Sequence, residues 1–227
     1  MREWLPALLL FGAVLPVSAG FRVWTATDGS SITAEFQSRS GNKVCLVTEN
    51  GRKFDVPFER LSKEDRAYAE LHSPPRLEVE VDPNENHVSD SVLNRSNEGY
   101  IVFDFEVQVF KKSMESYSRP LRVDLYVVGT QEVSGRYVVL RHFQKRLVFP
   151  EAKNRRTISF DQLLLRQTPA KDVSEADYCG YLLVVADERD ERIAVASNRK
   201  EFENNAERFG GVREGAVSPR DDIRFSP

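Results

Sequence analysis

The sequence predicts a mainly β protein, in which a small barrel with one helix is followed by a larger β-sandwich with a C-terminal helix. Apolar and polar residues alternate along most of the chain, most clearly over residues 100–110. This period of two is typical of strands that bury one face. Turn-forming pairs such as Asn50-Gly51 separate the alternating segments. Ser73-Pro74-Pro75 then divides a compact first part from a longer second part, because paired prolines cannot continue a helix.

The first 19 residues have the layout of a secretory signal peptide. Arg2 supplies a basic start, an uncharged apolar run covers residues 5–15, and Val17-Ser18-Ala19 precedes Gly20. A membrane anchor and a buried core helix are the alternatives. Both are disfavoured, because the run is shorter than the roughly 20 residues that span a bilayer and has no polar face. We therefore expect export to the periplasm or surface of a bacterium, with no spanning segment after cleavage.

The composition is that of an ordinary globular protein, with 41% hydrophobic and 30% charged residues. The formal charge of −3 argues against a nucleic-acid partner, although the segment from Arg141 to Arg146 is locally basic. Cys45 and Cys179 fall in different predicted modules. One inter-module disulfide and two separate thiols are both open, because sequence does not show whether the geometry fits a bridge.

Residues 21–73 are expected to form the barrel and its helix. The predicted strands are 22–26, 32–37, 44–48 and 54–58. Ser62 followed three residues later by Asp65 forms a capping-box pattern, which predicts a helix start. Tyr68 and Leu71 lie at helical spacing and are expected to face inward.

Several segments of this module together resemble the Sla homology domain. They are Val23-Trp24-Thr25, Ala34-Glu35-Phe36, Asn50-Gly51-Arg52 and, most specifically, the run from Val56 to Asp65 that ends in Leu61-Ser62 and Glu64-Asp65. The domain was named from a yeast endocytic adaptor, recurs in secreted bacterial proteins and is similar to a Src-homology-3-like barrel. In the adaptor it binds a short Asn-Pro-Phe-type peptide. The resemblance implies a binding module, and it assigns no contact residues here.

Residues 76–209 are expected to form the sandwich and the C-terminal helix, and residues 210–227 a polar, loosely held tail. The predicted strands are 77–81, 100–110, 121–128, 137–149, 156–160, 181–186 and 192–196. Asn198 is expected to cap a helix over 199–208, in which Phe202, Ala206 and Phe209 share one face.

The segment from Asp177 to Leu183 resembles the tyrosine corner of immunoglobulin-like domains, with Tyr181 as the buried tyrosine. Cys179 stands at the small-residue position, and Leu183 replaces the usual cysteine. The resemblance therefore implies an immunoglobulin-like or fibronectin-like sandwich without the core disulfide. An ordinary tyrosine-rich strand is the alternative.

No pattern for catalysis or metal binding stands out. His72, His87 and His142 have no histidine partner at metal-ligand spacing. Residues 82–87 lack the glycine of a calcium loop and are expected to form a polar loop. We expect no enzyme activity, no metal and no cofactor. Trp24 is the candidate ligand-binding residue, because its indole N–H needs a partner; a packed core tryptophan is the alternative.

These observations favour an exported, non-catalytic adaptor or protein-binding protein of the bacterial envelope or surface. Its partner would be another envelope or surface protein, or a peptide segment, and a pilus-like or other surface assembly is one version. The alternative is a module that binds carbohydrate or an envelope polymer, with Tyr117, Tyr126 and Tyr137 as candidate exposed aromatics. The oligomeric state stays open.

Overall fold

The computed structural model describes residues 20–89, 99–113, 115–131, 133–150, 153–167, 176–219 and 222–225. The predicted signal peptide, residues 1–19, lies outside these ranges. The chain divides into two compact units, one ending at Asp65 and the other beginning at Arg66. The module boundaries predicted around Ser73-Pro74-Pro75 stay predictions. The fold is mainly β, as predicted.

The first unit is an antiparallel sheet that curls back on itself. Its strands pair in chain order and are β1 (Arg22–Thr25), β2 (Ser31–Ser40), β3 (Lys43–Val47) and β4 (Lys53–Pro57). A 3-10 turn over Phe58–Arg60 follows. The amides of Thr27 and Ser62 donate to the carbonyls of Arg60 and Thr25, both at 2.8 Å. These bonds tie β1 to the chain beyond β4 and close the small barrel.

The alternation in the sequence decides which side chains the barrel buries. Trp24, Ala34, Val44 and Leu46 are all buried, and their polar neighbours along the strands are more exposed. Gly51 has a φ of 79° in the predicted Asn50-Gly51 turn, a conformation that glycine adopts without steric cost. The predicted strands of this module are therefore confirmed.

Asp65 fastens the start of helix α1 (Lys63–Leu71) to β1. The Asp65 amide donates to Ser62 Oγ at 3.1 Å, which confirms Ser62 as the cap, and that hydroxyl donates back to the Asp65 carboxylate at 3.0 Å. The second bond of a capping box is not formed, because the Ser62 amide donates to the Thr25 carbonyl. The same carboxylate accepts from the Thr25 amide and from the Arg22 guanidinium, both at 2.7 Å. Its side chain is buried, so this latch places the carboxylate inside the barrel.

The second unit contains a two-sheet sandwich. Its strands are β5 (Leu77–Ser89), β6 (Gly99–Lys111), β7 (Leu121–Gln131), β8 (Tyr137–Leu147), β9 (Arg155–Gln167), β10 (Ala176–Ala186) and β11 (Arg192–Ser197). One sheet has the order β5-β6-β9 and the other β11-β10-β7-β8, all antiparallel. A chain that alternates between two sheets in this way has the architecture of the immunoglobulin-like sandwiches that the sequence predicts.

The core of the sandwich lies between the two sheets. Phe105 and Val107 of β6 meet Val123 and Leu125 of β7 and Leu183 of β10, and all five side chains are buried in one cluster. The Tyr181 ring lies in the same cluster, edge-on to Phe105 with centroids 6.3 Å apart, as the tyrosine-corner resemblance implies. The chain before this corner, residues 168–175, lies outside the described residues.

β5 and β9 are among the strands that are longer than predicted. β5 continues through residues 82–87, where we expected a polar loop, and pairs with β6 as far as Ser89. Pro83 is tolerated there because β5 is an edge strand, whose outward side needs no backbone donor. β9 continues to Gln167 past an irregularity in its pairing with β6 between Phe103 and Phe105. Both predictions stopped where the simple alternation stopped.

The C-terminal segment packs on the outer face of the β11-β10-β7-β8 sheet. Helix α2 (Lys200–Asn204) and a 3-10 turn (Ala206–Phe209) bury Phe202, Ala206 and Phe209, as their spacing predicts. Asn198 is not the predicted cap, because its Oδ1 accepts the Tyr181 amide at 2.9 Å. The helix follows Arg199 with no side-chain cap.

The described part of the tail, residues 212–219 and 222–225, is packed against the sandwich, which corrects the prediction of a loosely held tail. Val212 and Ile223 are buried against the same outer face. The Ser218 amide donates to the Tyr137 carbonyl at 2.8 Å, and Ser218 Oγ accepts the Tyr137 amide at 3.0 Å. The tail therefore adds a short stretch of pairing to the edge of β8. Its buried residues, Val212 and Ile223, are single apolar residues that stand between polar ones in the sequence.

Candidate binding sites

Trp24 forms the floor of a groove in the barrel, with only 1% of its surface exposed. Its indole N–H donates to the Ala34 carbonyl at 3.0 Å, and its ring stacks on Phe36 with centroids 6.1 Å apart. The partner that the indole needed is therefore inside the barrel. Trp24 is a packed core residue. A role in ligand binding stays a prediction, and only the face of its ring could contact a ligand, because the indole N–H is already bonded.

The groove above Trp24 has a volume of about 230 Å³ and mixes apolar and polar walls. Ile32 lies directly across the strand pair from Trp24 and is 39% exposed, which is high for a large aliphatic side chain. Arg60 forms an exposed ion pair with Asp28 at 3.0 Å on the same side. Asp55 and Pro57 of β4 contribute the opposite wall.

A second and larger cavity, of about 540 Å³, lies on the outer face of the sandwich sheet. We call it the outer-face cavity. β7 contributes alternate side chains to it, while the residues between them, such as Val123, point into the core. β8, β10, β11 and the segment around Gly210-Gly211 complete its walls.

Asp124 is the centre of a polar network in this cavity. Its carboxylate accepts Arg122 Nε at 2.7 Å and Gln144 Nε2 at 2.9 Å, and it lies 3.0 Å from His142 Nε2. Burial acts to raise the pKa of Asp124, but the hydrogen bonds from His142, Arg122 and Gln144 outweigh it and lower that pKa below the ordinary 3.8. The site thus holds a buried, ionised carboxylate whose partners are all side chains.

The His142 ring is held in place from two sides. It stacks on Tyr126 with centroids 4.2 Å apart and planes only 3° from parallel, while its Nε2 faces Asp124. Burial raises the pKa of Tyr126 to about 12, so this ring stays neutral at ordinary pH. The remaining histidine described with its side chain, His72, stacks on Tyr68 and places Nδ1 2.9 Å from the Tyr68 carbonyl.

The tyrosines proposed as an exposed aromatic row do not form one. Tyr117 and Tyr126 are buried, and Tyr137 is half-buried with its ring edge-on to Phe202 at 5.2 Å. Tyr137 also donates its hydroxyl to Glu201 at 2.8 Å. These rings belong to the core and to the C-terminal packing, so the flat platform expected for stacking on a polymer is absent at these positions.

Residues 14–76 match the family model described as SLA1 homology domain 1. The N-terminal module therefore resembles that domain, and its four-stranded barrel with a following helix carries the motifs quoted from the sequence. A comparison with curated proteins finds no match. A crystal structure from Akkermansia muciniphila is similar with 15% identity and a TM-score of 0.29, covering 55% of this chain and 70% of that chain.

Within the described ranges, no group of three or more histidine, cysteine or acidic side chains could hold a metal ion. Cys45, in the module that resembles the SLA1 homology domain, and Cys179 are both free, half-buried thiols. Burial raises the pKa of Cys179, which keeps it protonated. In the same described part of the chain, no helix is long and apolar enough to cross a membrane.

The Asp124 network is the part of the molecule that sequence reasoning missed. Arg122 and Asp124 alternate with apolar residues of β7, which is also how a solvated strand face appears. The network depends on the register that sets Asp124 opposite Gln144 and Tyr126 opposite His142. The signal available in the sequence was Asp124 itself, an acidic residue between Val123 and Leu125 in a predicted strand.

Proposed function

We propose that this chain is an exported, non-catalytic binding protein of a bacterial envelope or surface, whose SLA1-homology-like barrel takes up a short segment of another protein. The observation that carries the proposal is the groove over Trp24 in a module that resembles a known binding domain. Export is supported by the signal-peptide layout of residues 1–19. Assembly into a pilus-like or other surface structure is one version of this function.

The size of the groove suits a peptide better than a whole small molecule. Small-molecule sites usually measure about 300–1,000 Å³, and this groove measures about 230 Å³. That volume holds one or two side chains of a segment that continues along the surface. The exposed Ile32 offers an apolar contact at the rim, and the Arg60–Asp28 pair offers a donor and an acceptor for backbone groups of the segment.

The absence of catalytic activity is part of the proposal. Buried carboxylates of the described chain are engaged by donors from the protein itself, as at Asp65 and Asp124. Burial raises the pKa of the free Cys179 thiol, which disfavours the thiolate that a nucleophilic cysteine uses. The alternative, binding of an envelope polymer, depended on a row of exposed tyrosines, and Tyr117, Tyr126 and Tyr137 do not form such a row.

Selection from a display library of short random peptides tests the proposal, with protein produced from the full chain as bait. We expect a consensus peptide to emerge, and Ile32→Glu to weaken its binding about tenfold or more, as loss of an interface hot spot does. The introduced glutamate charge would lie at the rim of the groove over Trp24, where the bound peptide excludes water. Fluorescence anisotropy with the selected peptide measures the affinity.

Val23→Glu is the matched control, because Val23 lies on the neighbouring strand and is 58% exposed, yet it alternates to the opposite face from Trp24. It should bind the peptide like the unchanged protein. Equal loss in both variants, or no peptide consensus at all, would count against a peptide groove at Trp24. Circular dichroism melts of both variants exclude unfolding as the cause.

A further inference from the structure

The outer-face cavity lies wholly within the second unit and has no part in the proposed peptide binding. Its volume of about 540 Å³ falls within the range of about 300–1,000 Å³ that is typical of small-molecule sites. Its floor is β7 and β10, where Asp124 pairs with Val184 and Arg122 with Ala186. Asp124 is buried in this floor, and a buried carboxylate is costly to maintain unless its oxygens have partners.

The charged groups of the cavity are matched to one another. Arg122 donates through Nε to Asp124 and through a terminal nitrogen to Asp190. Across the cavity, Arg192 forms a looser ion pair with Glu207 at 3.5 Å. Each guanidinium thus already faces a carboxylate.

This pairing discriminates between classes of ligand. The lining holds three carboxylates, Asp124, Asp190 and Glu207, beside two guanidiniums, so a ligand of either charge meets like charges as well as opposite ones. A hydroxyl group both donates and accepts, so it can bond to the carboxylate and the guanidinium of one pair without separating them. The cavity therefore favours a neutral ligand that carries several hydroxyls.

The remaining walls suit the apolar edges of such a ligand. Val184 and Ala186 present small aliphatic surfaces beside the polar floor. Gly210 and Gly211 line the opposite wall without side chains, which keeps the space open. A saccharide ring combines C–H edges with a rim of hydroxyls, which matches this mixture.

We propose that the outer-face cavity binds one neutral sugar unit, either a free saccharide or a residue of a longer glycan. Arg122, Gln144, Arg192 and Glu207 supply its hydroxyl partners, and Val184 and Ala186 pack against its C–H edges. The Asp124 carboxylate holds Arg122 and Gln144 in position. This site is separate from the groove over Trp24, and the chain would then carry two different binding sites.

Titration calorimetry and saturation-transfer NMR on protein from the full chain test the proposal. The probes are glucose, galactose and mannose, the uronic acid and amino sugar of each, and short oligosaccharides of any hexose that binds. We expect at least one neutral hexose to bind, and its two charged derivatives to bind about tenfold more weakly or worse, since each meets like charges in the lining. Tighter binding of an oligosaccharide than of its hexose would identify a glycan as the ligand. Equal binding of the two would identify a free sugar.

Gln144→Leu replaces an amide donor with an apolar side chain of similar size. It should weaken binding of the hexose about tenfold. Gln108→Leu is the matched control, because Gln108 lies on β6 in the other sheet and is absent from the cavity lining. It should leave binding unchanged. The proposal is overturned if no neutral hexose binds, if a charged derivative binds as tightly as its neutral parent, or if the two leucine variants behave alike.

Discussion

One buried aspartate of the barrel and one of the sandwich engage their carboxylates in different ways. Asp65 in the barrel and Asp124 in the sandwich are both almost fully buried, and each is surrounded by three donor groups. The donors to Asp65 include a backbone amide and come from residues up to 43 positions away. The partners of Asp124 are all side chains on neighbouring positions of β7 and β8.

The difference shows how the partners of a buried charge indicate its role. A carboxylate that bonds to backbone far along the chain fixes the fold, because its loss leaves main-chain donors unsatisfied in the interior. A carboxylate held only by side chains at the wall of a cavity orients those side chains toward the cavity. Asp65 is therefore a structural latch, and Asp124 organises a surface for binding.

Asp65→Ala should have the largest effect on stability. It removes the acceptor of the Thr25 amide and one partner of the Arg22 guanidinium, and breaking a buried pair costs about 3–5 kcal/mol. Trp24 lies in the barrel core, so its fluorescence during urea unfolding reports this loss. Glu59→Ala, at an exposed position of the 3-10 turn, should change the unfolding free energy little. Similar midpoints for the two variants would show that Asp65 is no latch.

Asp124→Asn should cost less, about 1–3 kcal/mol at neutral pH, because the amide keeps one acceptor oxygen for its neighbours. The lowered pKa of Asp124 stabilises the fold above its unfolded value of 3.8, and this contribution is lost as the pH falls through the folded pKa. The difference between the unchanged protein and the variant should therefore shrink below that pH.

Urea unfolding at a series of pH values, followed by far-ultraviolet circular dichroism, measures this difference. Asp55→Asn, at an exposed position of β4, serves as the control at neutral pH and should leave the unfolding free energy nearly unchanged. A difference for Asp124→Asn that persists undiminished in acid would contradict an ionised Asp124.

Ser218→Ala should have the smallest of these effects, about 1 kcal/mol, since it removes one hydrogen bond to the Tyr137 amide. The backbone bond from Ser218 to the Tyr137 carbonyl remains. Hydrogen exchange at the Tyr137 amide should quicken more than exchange in the middle of β7. Ser134→Ala, in the turn between β7 and β8, should leave that amide protected.

Much of the fold followed from the alternation of apolar residues. The strands of both units, the Ser62–Asp65 cap and the buried face of Phe202, Ala206 and Phe209 all depend on local patterns that sequence shows directly. Local pattern also misled at residues 82–87, where a proline and polar side chains on an edge strand were taken for a loop.

The features that sequence did not reveal depend on pairings between distant residues. The burial of Val212 and Ile223 requires the outer face of β7 and β10 to be apolar and uncovered by the other sheet. The Asp124 network requires the register between β7 and β8. The internal partner of the Trp24 indole, Ala34, is likewise a cross-strand neighbour, so exposure of that ring could not be decided from the sequence alone.

The packing of the C-terminal segment has a consequence for the order in which the protein can be completed during synthesis. The barrel has all its strands and its latch once residue 65 has been made. The second unit needs Phe209, Val212 and Ile223 to cover the outer face of its larger sheet. That apolar face stays uncovered until residue 223 has left the ribosome, so a nascent chain shorter than this exposes an apolar surface that chaperones would recognise.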